Sequence, residues 1–334
     1  MMAGICLLFI VAAAPFVVRA QISWNKDGNS YTTVENGAIV EVTLPAMTKS
    51  VVVGAGQLAP LGVSAHAAGG RRGGGDLEYS FSSDRSRVLL LAKPVREYHN
   101  TYHSAWVFDR KASLLLPIAQ EHILNAKISP DGSRVAYVFR NNIYSVEIGS
   151  SVGSPVALTS DGSDKRLNGW FDYASSEELY CVDGFRWSPD SKSIAYWQND
   201  LSRVGIFYMI NNTDSIYPKI IAIPFSKVGE PIAQARIGVV SLATRATKWM
   251  NIEGDPSSHY LARMEWTPDG TRIITQQFNR AQNNSKLVLS NPGTGESKVI
   301  YNESDDAWID LKAFWSHAGV MTGTGSRAER PFCG

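Results

Sequence analysis

The chain of 334 residues holds only three cysteines, Cys6, Cys181 and Cys333. They are too few and too scattered for a disulfide framework or a CxxC-type zinc site, which sets cysteine chemistry aside as the function. Charge of one sign is also missing. Lys and Arg number 32 against 31 Asp and Glu, for a formal charge of +1, and this balance argues against a nucleic-acid surface. Sustained helical periodicity is nearly absent, and long apolar stretches are limited to Ile5–Val18. That run, closed by Val18-Arg19-Ala20, predicts a secretory signal over residues 1–20, although its first residues lack Lys and Arg. The alternative is an uncleaved N-terminal anchor, for which the run is short. With 44% hydrophobic residues the chain can bury a sizeable core, and its length admits two ordinary domains or one large repeat fold.

A repeat is present. An aromatic or apolar residue, Ser or Thr, usually Pro, then Asp and often Gly occur as Ile128-Ser129-Pro130-Asp131-Gly132, Trp187-Ser188-Pro189-Asp190-Ser191 and Trp266-Thr267-Pro268-Asp269-Gly270. Degenerate copies stand at Trp24-Asn25-Lys26-Asp27-Gly28 and Phe81-Ser82-Ser83-Asp84. Pro sets φ in a tight turn, Asp caps it and Gly accepts the left-handed conformation, so each copy predicts a turn between two strands. Strand alternation follows each turn. Val135, Tyr137 and Phe139 share one side, as do Ile194 and Tyr196, and Ile273 and Ile274 lead into Gln276 and Phe278. Asn141-Asn142 is expected to turn a hairpin, and Asn291–Gly295 to separate two more strands. The repeated aspartates are 57, 47, 59 and 79 residues apart, which fits four-stranded blades carrying insertions. The expected fold is all-β, a β-propeller of about five to six blades over residues 21–311; the rival is an array of two-sheet β-sandwiches.

Three local patterns carry less than their motifs promise. Gly69–Gly75 lacks the Lys-Ser/Thr of a phosphate-binding loop and reads as a connection between blades. Gly149-Ser150-Ser151-Val152-Gly153 has the spelling of a nucleophile elbow but not its strand-then-helix setting, so a turn between strands is expected. His99 and His103 have the spacing of two ligands on a helix, without the intervening Glu and in a strand-like context. No metal or other cofactor is expected.

The most informative stretch runs from Phe171-Asp172-Tyr173-Ala174-Ser175-Ser176-Glu177-Glu178-Leu179 to Asp183-Gly184-Phe185-Arg186-Trp187-Ser188-Pro189-Asp190. It resembles the N-terminal propeller domain of the dipeptidyl peptidase IV family, serine peptidases of the prolyl-oligopeptidase type. The resemblance continues through Tyr217-Pro218-Lys219, Ile237-Gly238-Val239-Val240, Arg263-Met264-Glu265-Trp266 and Asn279-Arg280, and covers roughly residues 22–311.

It implies that Glu177 and Glu178 project into the central cavity and hold the free α-ammonium of a peptide. Two carboxylates around one ammonium form charge-assisted hydrogen bonds, much reduced in net value by desolvation, and they reject a blocked N-terminus. Spacing alone leaves another reading open, that of a solvated acidic turn. The resemblance also implies an arginine for the substrate carbonyl near residues 96–99; Tyr98 falls at the ungapped position and Arg96 is the candidate. Tyr173, Ala174, Ser175 and Ser176 depart from the family pattern just before the acidic pair.

The tail Lys312–Gly334 leaves the pattern, as a truncation or frame change would make it do, and neither a triad nor an α/β-hydrolase domain is expected within the chain. The overall expectation is the substrate-gating portion of a secreted or periplasmic exopeptidase that removes X-Pro or X-Ala dipeptides. Its expected partners are polypeptide N-termini, a hydrolase domain if the frame continues, and a second copy as a homodimer. The alternative is a non-catalytic propeller that binds or scaffolds. Asn211, Asn283 and Asn302 begin glycosylation sequons.

Overall fold

The computed structural model describes residues 22–62, 77–97 and 100–311. The expected signal, the glycine stretch 69–75, Tyr98, His99, Cys6, Cys333 and the tail 312–334 lie outside the described residues.

The first sheet contains β1 (Ser23–Trp24), β2 (Ser30–Glu35), β3 (Ala38–Thr43) and β4 (Thr48–Val53) in that order. A short α1 (Ala55–Leu58) and a 3-10 turn (Ala59–Leu61) bury Leu58 and Leu61 behind it. Seven strands then form one ladder: β5 (Leu77–Phe81), β6 (Arg87–Glu97), β7 (Asn100–Asp109), β8 (Leu114–Ile128), β9 (Arg134–Phe139), β10 (Asn142–Glu147) and β11 (Val156–Ala157). Strand β8 joins two sheets, because it pairs with β7 as far as Ile123 and with β9 from Leu124 onward.

In the fourth sheet, β12 (Arg166–Asn168) and β13 (Phe185–Trp187) both pair with β14 (Ser193–Asp200), with α2 (Tyr173–Glu178) between them in sequence. The hairpin β15 (Ile206–Asn211) and β16 (Lys219–Pro224) stands apart, and β17 (Gln234–Ser241) and β18 (Thr247–Trp249) complete the sheet. The fifth sheet is β19 (His259–Trp266), β20 (Ile273–Asn279), β21 (Asn284–Ser290) and β22 (Ser297–Ser304). Every named strand pair is antiparallel, so the described residues form five four-stranded units of a β-propeller.

The cores lie between consecutive sheets, and strand alternation places them there. Val88 and Leu90 face the first sheet alongside Ile39, Val53 and Tyr79, while Leu89 faces the third alongside Val135 and Tyr137. Ile194 and Tyr196 join Val138 and Ile143 of the third sheet, whereas Ala195 and Trp197 join Leu261, Met264 and Phe278 of the fifth. Buried on both faces, the middle strands read as nearly continuous apolar runs.

The repeated aspartate turns close on themselves. Ser82, Ser129 and Ser188 each donate a hydroxyl to Asp84, Asp131 and Asp190 at 2.6 Å, and Thr267 does so to Asp269 at 2.5 Å. Each Asp also accepts the backbone N–H two residues on, at 3.0–3.1 Å. The residue after Asp is left-handed in all five copies: Gly28, Arg85, Gly132, Ser191 and Gly270 have φ between 56° and 73°. Ser191 keeps a side chain in this region because its hydroxyl accepts the Asp131 N–H at 3.1 Å, tying the third turn to the fourth.

The aromatic that opens a unit ties it to the previous one. The Trp187 indole donates to the Lys127 carbonyl and that of Trp266 to the Arg186 carbonyl, both at 3.2 Å. First strands of neighbouring sheets therefore meet on the inside, and the exposed pattern of β22 marks the outer edge. The hairpin predicted at Asn141-Asn142 turns at Arg140-Asn141, with Asn142 opening β10, and the turn at Asn291–Gly295 falls between β21 and β22.

Candidate acidic site on an inner-strand insertion

The inner strand of the fourth sheet is broken at one position. Asn168 pairs with Gln198 and Phe185 with Tyr196, so the residue opposite the gap is Trp197. Its carbonyl accepts the Gly169 N–H at 2.9 Å and its own N–H donates to the Gly184 carbonyl at 3.0 Å. Residues 169–184 thus leave and rejoin the sheet at one point. A Cβ on Gly184 would come within 2.2 Å of the Gly169 carbonyl carbon, so glycine is required where the two ends pinch together.

Helix α2 sits on this insertion with one face buried. Asp172 precedes it and is 4% exposed, Ser176 is buried within it, and Leu179 follows as its buried cap. The Ser176 hydroxyl donates to the Asp172 carbonyl at 2.9 Å, Arg263 reaches across from β19 to the Leu179 carbonyl at 2.9 Å, and the Tyr173 ring lies 5.3 Å from that of Phe225. Tyr180, with φ of 53°, turns the chain away. Below, Phe171 packs 5.1 Å from Trp197, whose indole donates to the Leu261 carbonyl at 2.7 Å.

Glu177 and Glu178 are exposed at the C-terminal end of α2, on the face left open by this clamp. The position is unfavourable on local grounds. The helix macrodipole is negative at that end, the last turn carries no basic residue and the two carboxylates are neighbours. A local rule broken on a firmly held element is what a binding site looks like. Nearby, burial raises the Asp172 carboxyl, whose oxygens face Ser175 without a well-formed hydrogen bond. Burial also raises the Tyr260 hydroxyl, which feels Arg280 on one hand and Asp172 and Glu178 on the other. Tyr260 and Arg280 belong to the surroundings of the acidic pair but lie about 80 to 100 residues away in sequence, with no spacing that connects them.

Arg96 is exposed near the end of β6 and pairs with Thr101, so it belongs to the second sheet whereas the glutamates belong to the fourth. His103 is buried on β7 with its Nε2 3.8 Å from Glu78, and burial lowers its pKa. It is a core histidine. Gly149–Gly153 follows β10 as a turn closed by the Ile148–Val152 bridge, not a strand-to-helix elbow. Cys181 carries a free, buried thiol pushed up to about 12 by burial, which leaves it unreactive. Among the described residues no group of His, Cys, Asp and Glu could hold a metal ion, and no helix is long and apolar enough to cross a membrane.

An ionic seam runs from buried Lys127 through Asp183 and Arg186 to exposed Glu265. Lys127, Arg186 and Glu265 precede the blade-opening Ile128, Trp187 and Trp266; Lys127 and Arg186 meet on Asp183, and Glu265 joins through Arg186. Lys127 donates to the Asp183 carboxylate and the Phe185 carbonyl, and Arg186 bridges Asp183 at 2.9 Å and Glu265 at 2.8 Å. Burial pulls Lys127 down to about 8 despite Asp183.

Repeated antiparallel sheets with cores between them, one inner strand opened to present a carboxylate pair, define a propeller with an inserted acidic site. The family description of the dipeptidyl peptidase IV (DPP IV) N-terminal region matches residues 82–325, and the chain belongs to this family. It is 28% identical over 263 residues to dipeptidyl aminopeptidase B of Saccharomyces cerevisiae, covering 76% of this chain and 31% of that protein. It is 24% identical over 317 residues to dipeptidyl peptidase 4 of Trichophyton rubrum, covering 91% and 39%. The crystal structure of Porphyromonas gingivalis dipeptidyl peptidase 4 superposes with a TM-score of 0.77 at 24% identity, over 88% of this chain and 41% of that one, and shares the fold. The chain spans about a third of the length of the curated relatives it matches.

Proposed function

We propose that this chain is the substrate-gating portion of a secreted dipeptidyl peptidase IV-like serine exopeptidase. Glu177 and Glu178 hold the free α-ammonium of a peptide and so set the register from which an X-Pro or X-Ala dipeptide is released. The observation that carries the reading is the exposed pair at the unfavourable end of a helix that is clamped on every other side. An ammonium held by the two carboxylates makes charge-assisted hydrogen bonds and places a positive charge at the negative end of the helix. Acyl transfer belongs in this reading to a hydrolase domain of the longer protein, consistent with the greater length of the relatives. Residues 1–20 serve as the export signal, and Arg96 is assigned to the substrate carbonyl.

The hairpin β15–β16 supports a homodimer. Each of its strands pairs only with the other, and Tyr208, Ile210, Ile216, Tyr217 and Ile220 are largely exposed. Such a two-stranded ribbon is marginal alone and is stabilised by a second copy. Light scattering should give twice the chain mass, falling to the single mass in Ile210→Asp.

The site is tested with Ala-Pro peptides whose N-terminus is free or acetylated, titrated calorimetrically into the chain. The free peptide should bind and the acetylated one should not, and Glu177→Gln with Glu178→Gln should abolish the difference. Equal binding of both peptides to the unmodified chain refutes the assignment.

A further inference from the structure

Between the fourth and fifth sheets is a cleft of about 150 Å³ that the acidic pair does not account for. Its walls come from the segment after β14 (Arg203), the chain leaving the hairpin (Gly229, Pro231), the start of β17 (Gln234), the residue pair before β19 (Ser257) and the residue after β20 (Arg280). The volume is far above the ~10–15 Å³ that a single water needs. The chain leaving the hairpin packs on α2 through the Phe225 and Tyr173 rings before it reaches the cleft at Gly229 and Pro231.

Its chemistry is cationic. Arg203 is exposed and has no ion-pair partner among the described residues. Arg280 donates to the Glu230 carbonyl and has no carboxylate partner either, which leaves most of its guanidinium donors open. Gln234 donates to the Ser257 hydroxyl oxygen at 2.5 Å, and the Ser257 hydroxyl is itself bound to the Asp255 carboxylate. The nearest acid on the same turn is already engaged: Asp255 accepts the Ser257 N–H at 2.9 Å and the Ser258 hydroxyl at 3.1 Å. Two guanidiniums on a small hollow match a carboxylate, which accepts fork-like pairs of hydrogen bonds. Tyr260 shares a hollow with Ser175 of α2, and both Arg280 of the cleft and Glu178 of the acidic pair act on its hydroxyl.

We propose that this cleft is a carboxylate subsite and that the chain favours peptides with Glu or Asp as first residue, ammonium on Glu177 and Glu178, side chain on Arg203 and Arg280. This rests on the ammonium role assigned above. The site then reads opposite charges on one residue, and such two-point recognition is selective because each half-matched ligand leaves one set of charges uncompensated.

The test titrates the intact chain with Glu-Pro-Ile, Gln-Pro-Ile, acetyl-Glu-Pro-Ile and glutarate. Glu-Pro-Ile should bind about tenfold more tightly than Gln-Pro-Ile. Arg203→Gln and Arg280→Gln should each bring that ratio toward one, with thermal melts matching the unmodified chain to show that the variants are folded. A ratio of one in the unmodified chain, or one that survives both substitutions, overturns the cleft while leaving free-over-acetylated discrimination intact. Equal binding of free and acetylated Glu-Pro-Ile instead overturns the ammonium role and the two-point reading with it. Glutarate binding as tightly as Glu-Pro-Ile would assign the cleft to free dicarboxylates and overturn the peptide class.

Discussion

The inner strands of the fourth and fifth sheets occupy equivalent places in the repeat and are built differently. In the fifth, β19 runs from His259 to Trp266 with only a bulge between Leu261 and Arg263. In the fourth, the strand is split and residues 169–184 leave the sheet. The irregularity of the intact strand serves the broken one: at the bulge, the Leu261 carbonyl accepts from Trp197 and the Arg263 side chain reaches the Leu179 carbonyl. A repeat unit can thus carry an insertion in its core when its neighbour satisfies the backbone groups that the insertion frees. The neighbour's own regular pairing is the sacrifice.

The largest effect is expected at the base of the broken strand, where Asp183 ties it to Lys127 of the third sheet. Asp183→Ala would leave Lys127 buried without its carboxylate, and losing one partner of such a pair costs about 3–5 kcal/mol. Urea unfolding should show this as a lowered midpoint at unchanged slope. An unchanged midpoint would mean that Lys127 reaches solvent.

Next in size is the pinch at the base of the insertion. Gly184→Ala forces a Cβ against the Gly169 backbone and should cost roughly 1–3 kcal/mol, whereas Gly205→Ala, with nothing near its Cβ, should be close to neutral. Thermal melts of the two variants side by side give the contrast directly. Equal effects would remove the argument that the insertion depends on its pinched ends.

The smallest effect separates binding from stability. Glu177→Gln and Glu178→Gln remove charges that oppose the helix dipole, so each should leave stability unchanged or raise it by about 0.3–1 kcal/mol while peptide binding is lost. A destabilised double variant would make the pair structural.

The aspartate turns, common to both sheets, supply a control. Hydrogen bonds hold Asp84 and Asp269 at about 2, below the usual ~3.9 of an Asp side chain. A depressed folded value means that the unfolded chain binds the proton more readily, so the turns support folding above about pH 4 and lose that support as pH falls toward 2. Asp269→Asn should lower stability at neutral pH and flatten the acid limb of a stability-against-pH curve, which should converge with that of the unmodified chain near pH 2.

Much of this was legible in the residues alone. The turns were, because Ser, Pro, Asp and Gly act on the backbone within five positions, and the order of strands after each turn was, because alternation over Val135–Phe139 or Ser193–Gln198 shows which side chains share a face. The acidic pair was legible only through family resemblance. Spacing could not place it, since what makes Glu177 and Glu178 unusual is a short helix with no amphipathic run long enough to announce it. Tyr260, Arg263 and Arg280 escaped entirely, because their link to α2 runs across sheets and not along the chain.

By itself, then, the sequence determined the repeating unit, its turns and the two faces of its strands, all consequences of interactions among near neighbours in the chain. Only the tertiary structure decided where the inner strand opens, which neighbour clamps the inserted helix and which cations gather beside it. Those depend on pairing between residues dozens of positions apart, where backbone hydrogen bonds and buried charges are satisfied by whichever groups the packing of adjacent sheets brings within reach.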